Sequence, residues 1–389
     1  MDSIPDTPPS REHSGGIYGH LRSSILSQVI PPGHRLPAER ALAAQYGVSR
    51  RVARSTLAQL QSEGLVREIS PRIRVVSDPI SKSPSPADIV IVVTDMSGIT
   101  EPGSRNIVHR LFFGVTAALV SHRLTPLVQA PCGAEELRFK LQSMSAVGLI
   151  LLQDLSPHDL GRVLPLLQQP VCPTVVVGDS LPDQLLVTLN CDQVRIDHRH
   201  GAYTLTKRLI DQGCRRIQQA CGPDPHGRSW RKERRAGHHD ACREAGLPLL
   251  PVIDLPSPPW PSGDRESWER RARMTAGFLI EHVQGAAPVD ALMLESDGAF
   301  FDVVLACKLL GCDPERDILI VGYDNYWESL PESRWDPCVP FATIDPHLNR
   351  VGLAMVESLL ARRTGFDSQV AKCITIPGEL LCPIRASAL

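Results

Sequence analysis

Arg50, Arg51 and Arg54 fall within two helical turns of one another, directly after Ser49. A guanidinium offers two parallel donors that match O6 and N7 of guanine, which a lysine ammonium cannot do. The free amides at a helix start, together with the Ser49 hydroxyl, suit a phosphate. Arg40 is placed for backbone or base contact from the flank, and Arg72 and Arg74 for phosphates or the minor groove. A second set of groups follows apolar runs further along: Asp95 after IVIVVT, Asp179 after TVVVG, Ser296 and Asp297 after ALMLE, and Asp324 after LIVGY. A carboxylate accepts two hydroxyl hydrogens, and an arginine fork completes the recognition of a polyol. No nucleophile stands beside a base, no GxxxxGK loop cradles phosphate and no ligand spacing fits a metal. The chemistry on offer is binding rather than catalysis, with no cofactor or metal expected.

The elements that must hold these groups divide in two. Ile17, Leu21, Ile25 and Val29 recur every four residues and predict a helix from Ile17 to Val29, ended by Ile30-Pro31-Pro32-Gly33. A second helix is expected from Ala38 to Gln45, with Leu42 and Ala43 inward and Gly47 in the turn. Ser49 then caps a third helix reaching about Glu63, with Val52, Ala53, Thr56, Leu57 and Leu60 as its inward stripe. Two short helices joined by a glycine turn make a helix-turn-helix, whose second helix reads the major groove. This domain is placed at 15–77, after an arm at 1–14 without expected order. Residues 78–87, rich in proline and serine, read as a linker that those prolines keep from forming a helix.

From 88 to 389 apolar strand-like runs alternate with amphipathic helical stretches. The strands are IVIVVT, TPLVQ, VGLILL and TVVVG, then RIQQACG, LLPVIDL, DALML and DILIVGYD. Such alternation predicts an α/β body of parallel sheets wrapped by helices, and two series predict two lobes with a cleft between them. Ligands of open α/β lobes sit beyond the carboxyl ends of the strands, where the acidic residues stand. Asp297 has a second reading as the cap of the helix that follows it, and Asp324 as a turn residue.

Composition agrees with this division. The 389 residues are 42% hydrophobic and 22% charged, as in a globular chain of more than one domain. No apolar run is long enough for a membrane span and no signal peptide is evident, so a cytoplasmic protein is expected. The eleven cysteines form no CxxC pair and read as reduced, mostly buried thiols. The pairs His198/His200 and His238/His239 read as solvated helix faces. Net charge is -2, yet residues 11–76 hold ten arginines and no lysine against four glutamates, a local balance of +6. A basic head on an acidic body is the footprint of a nucleic-acid-binding module joined to another function.

The stretch IPPGHRLPAERALAAQYGVSRRVARSTLAQLQSEGLVREI resembles the winged-helix head of the GntR family. The resemblance puts Arg40, Ser49, Arg50, Arg51 and Arg54 on that family's DNA-contacting positions. It departs at the wing, where Ser70-Pro71-Arg72-Ile73-Arg74 replaces a glycine-containing hairpin. The body resembles the sensor domain of the LacI/GalR family and its periplasmic-binding-protein relatives, through DHRHGAYTLTKRLIDQGCRRIQQACGP, RRAGHHDACREAGL, DALMLESDGAFFDVVLACKLLG, DILIVGYDN and FATIDPHLNRVGLAMVESLL. That resemblance implies that Arg234, three residues before Gly237, and Asp324 bind the effector, with Ser296 and Asp297 beside them and Ser296 replacing the family's frequent asparagine. Arg234 otherwise reads as one charge of a solvated basic run. Trp260 and Trp268 are weaker candidates for stacking on a sugar ring.

These readings converge on a ligand-responsive, DNA-binding transcription regulator. It is expected to repress, to bind a double-stranded operator as a homodimer, to sense a small polar effector, most simply a sugar, and to involve no membrane. A stand-alone sugar receptor is the alternative, disfavoured by the head. A pyridoxal-phosphate body fused to such a head is disfavoured because Lys207, Lys232, Lys308 and Lys372 lack a strand-end setting.

Overall fold

A computed structural model describes residues 16–26, 29–31, 33–63, 65–70, 73–77, 88–94, 107–152, 157–181, 185, 187–224, 228–255, 263–363 and 370–383. The arm at 1–14, the linker at 78–87, Arg72, Asp95 and Trp260 lie outside these residues. The chain divides into two compact units, Met1–Ser85 and Pro86–Leu389.

The first unit holds α1 (Gly16–Leu26), α2 (Glu39–Tyr46), α3 (Arg50–Ser62) and the strands β1 (Val66–Ser70) and β2 (Ile73–Val76). Gly47 ends α2 in a left-handed conformation, φ 63°, that lets its amide bond back to the helix. The Ser49 side chain accepts from the Val52 amide at 3.3 Å, so the expected cap forms. Leu21, Leu42, Ala53, Leu57 and Leu60 form a sealed core with Ile30, Val66 and Val76. Two expectations are corrected. The first helix is described over Gly16–Leu26 and Val29 lies outside it, 56% exposed, while Ile30 takes the inward place. Val52 is 44% exposed, because the buried set of α3 is Ala53, Thr56, Leu57 and Leu60, one step round the helix. β1 and β2 pair antiparallel with an irregularity between Glu68 and Ser70, so a wing hairpin forms without glycine at 70–74.

The second unit runs β3 (Ile89–Val93), α4 (Ile107–Ser121), β4 (Thr125–Gln129), α5 (Ala134–Ser143), β5 (Gly148–Leu151), α6 (Pro157–Gln168), β6 (Thr174–Val177) and β7 (Asp192–Ile196). It continues through α7 (His198–Asp211), β8 (Ile217–Cys221), α8 (Ser229–Glu244), β9 (Ile253–Asp254), α9 (Arg265–Val283), β10 (Ala291–Leu294), α10 (Phe300–Leu309) and β11 (Leu319–Val321). The last elements are β12 (Thr343–Asp345), α11 (Leu348–Ala361), β13 (Cys373–Ile376) and β14 (Glu379–Leu381). A six-stranded parallel sheet, order β13-β7-β6-β5-β3-β4, forms one lobe, and a four-stranded parallel sheet, order β11-β10-β8-β9, forms the other. The parallel α/β expectation and the two lobes are met. Val90 to Val93, Leu149 to Leu151 and Val175 to Val176 are buried on both faces, which is why these strands read as continuous apolar runs.

The lobes are not consecutive pieces of chain. The chain leaves the first lobe after β7, returns after β12 to supply α11 and β13, and leaves again for β14, which pairs antiparallel with β12. Three strands thus cross at one place. α11 packs on α4 where Gly352 faces Gly114: a Cβ on Gly352 would lie 2.6 Å from a Gly114 backbone carbon. Backbone cannot yield as a side chain can, so Gly352→Ala is expected to cost about 1–3 kcal/mol by overpacking. Thermal unfolding should show a lowered Tm; an unchanged Tm would mean that the helices do not touch there.

Candidate functional site

In the first unit α3 buries one side and turns Arg50, Arg51 and Arg54 to solvent, with Arg40 exposed on α2. Glu39, in the first turn of α2, organises them. Its carboxylate lies 3.1 Å from Arg54 Nε, 3.7 Å from Arg50 Nε and 3.7 Å from Arg74 Nη1. Arg40 and Arg51 make no hydrogen bond or ion pair among the described residues. One carboxylate therefore fixes the fan of Arg50 and Arg54, while Arg51 and Arg40 stay uncompensated. The opposite side of α3 is tied to α1 through Glu63, which accepts from Tyr18 and, at 3.1 Å, from Arg22 Nε. Glu39 was not singled out from the sequence, although an acid in the first turn of a helix was the available signal.

In the second unit Arg234 and Asp324 meet. Arg234 is 6% exposed and donates through Nη2 to Asp324 Oδ1 at 2.8 Å, through Nη1 to the Glu295 carbonyl, and through Nε to His198 Nδ1 at 3.3 Å. Its guanidinium lies 3.5 Å from the centre of the Tyr323 ring and 4.6 Å from that of Trp230. Burial pulls its pKa down, but Asp324, Tyr323 and Glu295 outweigh that and the net direction is up. Asp324 adopts φ 90°, a left-handed conformation costly for a residue with a Cβ, and its amide is held by the Ile344 carbonyl of β12. The solvated-charge reading of Arg234 is overturned.

Three contacts carry this cluster across to the first lobe. Arg110 of α4 donates to the carbonyls of Asp324 and, at 3.3 Å, Asn325. Ser229 Oγ, at the start of α8, donates to the Asp179 carbonyl at 2.7 Å. His198 Nε2 lies 3.6 Å from Asp179 Oδ2, and that oxygen accepts the Ile196 amide at 2.9 Å. A continuous polar chain thus runs Asp179, His198, Arg234, Asp324 from lobe to lobe, and Asp179 Oδ1 is buried without a hydrogen-bond partner.

The remaining predicted residues separate. Ser296 Oγ lies 3.2 Å from the Tyr326 hydroxyl and accepts from the Gly298 amide, so it is half-buried beside the cluster. Asp297 does not cap a helix: it is fully buried and accepts from the Tyr326 amide at 2.8 Å and the Thr343 hydroxyl at 3.0 Å. Trp268 is core, donating to the Phe301 carbonyl and stacking on Trp335. The histidine pairs are corrected too: His198 and His238 are buried, and only His200 is exposed. Arg110, His198, Ser229 and Tyr323 were not picked out as site residues, because their role depends on a lobe contact that spacing within one helix or strand does not report.

Comparison with known proteins agrees with both units. Residues 13–72 match the model of the bacterial regulatory proteins of the gntR family, and residues 206–382 that of the periplasmic binding protein-like domain. The chain thus carries a gntR-type helix-turn-helix domain at its N-terminus and a periplasmic-binding-protein-like domain in its body. An HTH-type transcriptional regulator of Mycobacterium tuberculosis is 41% identical over 73 residues, which are 18% of this chain and 30% of that protein. The fold is similar to that of a LacI-family transcriptional regulator from Enterococcus faecium with bound ribose, with TM-score 0.55 and 18% identity over 76% of this chain and 98% of that one. A LacI-family regulatory protein from Chloroflexus aggregans gives TM-score 0.59 and 22% identity over 77% and 98%.

Asp297 has an energetic consequence. Burial, with Asp324 nearby, pushes its pKa from 3.8 to about 7 against the bonds from Tyr326 and Thr343. The folded state then binds more protons than the unfolded chain between those values, so this group lowers stability as pH rises from 3.8 to about 7. Asp297→Asn keeps an acceptor for the Tyr326 amide and offers a donor to the Thr343 hydroxyl. It should raise Tm at pH 8, by on the order of 1 kcal/mol or more in stability, with the gain shrinking toward pH 5. Parallel pH profiles for the two proteins would contradict this assignment.

Proposed function

We propose that this protein is a ligand-responsive transcriptional regulator. Its head binds double-stranded operator DNA through Arg40, Ser49, Arg50, Arg51, Arg54 and Arg72, and the cleft of its body takes a small polar effector, most simply a sugar. The observation that carries this reading is one chain presenting both a solvent-facing arginine fan on a helix-turn-helix and a buried arginine–carboxylate pair between two α/β lobes. Similar structures with ribose or cellobiose bound support the effector class.

The physics of each half fits its task. Arg50 and Arg54, pre-ordered by Glu39, lose little freedom on forming bidentate bonds to a base, and Arg51 and Arg40 add charge for phosphates. In the cleft, Arg234 and Asp324 neutralise each other without ligand. A polyol whose hydroxyls satisfy both, with Ser296 and Asp179 as further partners and Asp95 assigned to the effector from the sequence, replaces one set of bonds by another. The Arg110 bridge joins the Asp324–Asn325 turn to the other lobe, so any shift of that turn is felt by α4. The effector changes DNA binding only by its different affinity for the two lobe arrangements, and relief of repression is the proposed sign.

A homodimer is part of this reading. β4 is the edge strand of its sheet and exposes Val128, while the helices beside it, α4 and α5, expose Phe113, Val120 and Phe139. An unpaired edge with apolar neighbours fits a second copy of the chain.

Gel-shift titration on an operator selected from random duplexes tests both halves. Arg51→Ala and Arg54→Ala should each weaken operator binding by about 1–3 kcal/mol. Asp324→Asn should leave operator binding intact and lose the response to the sugar that releases the wild type. Full operator affinity in both arginine variants would overturn the recognition surface, and a full effector response in Asp324→Asn would overturn the cleft.

A further inference from the structure

We propose that the body holds a second ligand site, separate from the cleft: the cavity beneath α8, which takes a small molecule bearing an anionic group and a hydrogen-bonding polar frame. The cavity is about 420 Å³, within the range of small-molecule sites. It runs under α8 from Trp230 as far as His239, over β8 and β10 and out along the edge strand β9. Asp179, Ser296, Asp297 and Asp324 do not line it, so it is not the cleft seen from another side.

Gln219 carries the argument. It is 6% exposed, lines the cavity, and its amide makes no hydrogen bond with any described residue. Its neighbour Gln218, on the other face of β8, is equally buried and donates to the Pro251 carbonyl at 2.7 Å. The fold therefore pairs a buried amide where it has a partner to give, and on the cavity side it leaves a donor and an acceptor for an occupant. The charge of that occupant follows from the wall. Arg235 lines the cavity without a hydrogen bond or ion pair among the described residues, whereas Glu295 is already held by Arg231 and the Gly222 amide, and the wall carboxylate of Asp254 on β9 is left to accept a hydroxyl of the polar frame. At the far end of the cavity burial, then Arg235 and Arg243, lower the pKa of His239 against the pull of Asp240. An anion placed against Arg235, with a hydroxyl or carbonyl reaching Gln219, satisfies both.

The occupant would also touch Arg234 and Glu295, whose side chain and carbonyl anchor the cleft, so the two sites share a wall. Isothermal titration of the full chain with citrate, inorganic phosphate and glucose 6-phosphate, each set against uncharged glucose, tests the proposal and separates a carboxylate from a phosphate. At least one anion should bind the wild type. Arg235→Ala and Gln219→Glu should weaken it about tenfold or more through a lost or reversed charge-assisted bond. Ser296→Ala, a change beside the cleft cluster that touches neither Arg234 nor the wall of this cavity, should leave it within about threefold. Should Gln219→Glu fold poorly by circular dichroism, the exposed Arg235→Ala carries the test alone. No heat with any anion overturns the site, as does unchanged affinity in the cavity variants. Loss confined to Ser296→Ala would place the anion in the cleft, overturning this site and leaving the cleft reading intact.

Discussion

Arg234 is a full positive charge with almost no access to water, and burying such a group costs several kcal/mol unless its surroundings replace the lost hydration. Here the replacement is complete: a carboxylate, a backbone carbonyl, an imidazole nitrogen and two aromatic faces enclose the guanidinium. These partners come from four segments. Asp324 and Tyr323 follow β11, Glu295 follows β10, His198 opens α7 beside a strand crossing, and Trp230 precedes Arg234 by one turn of α8. The position of one charge therefore fixes the carboxyl ends of the strands against the helices that face the cleft. The left-handed backbone at Asp324 is tolerated because this constraint over-determines it.

The same logic appears in the head at lower stakes. Arg50 and Arg54 are largely solvated where they meet the half-buried Glu39, so their attraction adds little stability and instead biases side-chain direction. Glu39 near bound phosphates would repel them were it not already neutralised by Arg50, Arg54 and Arg74. Stability in this unit comes from the apolar seam of α1, α2 and α3, which leaves the outer face of α3 free for recognition.

Much of this was legible in the sequence where local physics decides. The Ser49 cap, the Gly47 turn and the parallel strands follow from side-chain capping, glycine's access to positive φ and continuous apolar runs. The register of Arg234 with Gly237 was legible too, and Gly237 packs so closely on α7 that a Cβ would lie 2.0 Å from the Arg199 carbonyl oxygen. What was not legible depends on distant segments. β7, β12, β13 and β14 are short, and their role as lobe crossings arises only from pairing between distant segments, β7 with β13 across more than a hundred residues and β12 with β14 across the intervening α11 and β13. His198 reads as a polar residue at a helix start until Asp179 and Arg234 close around it. Val29 and Val52 were placed inward by spacing that the true helix end and phase moved by one residue.

The claim that the Arg234–Asp324 pair is the keystone of the body is open to a double-mutant cycle on unfolding free energy, with Arg234→Met, Asp324→Asn and the double variant. Removing one partner strands a buried charge, so each single change should cost about 3–5 kcal/mol. The double variant should cost less than the sum of the singles, with a coupling of about 1–3 kcal/mol. Additive effects, or singles as mild as ordinary surface substitutions, would contradict the account.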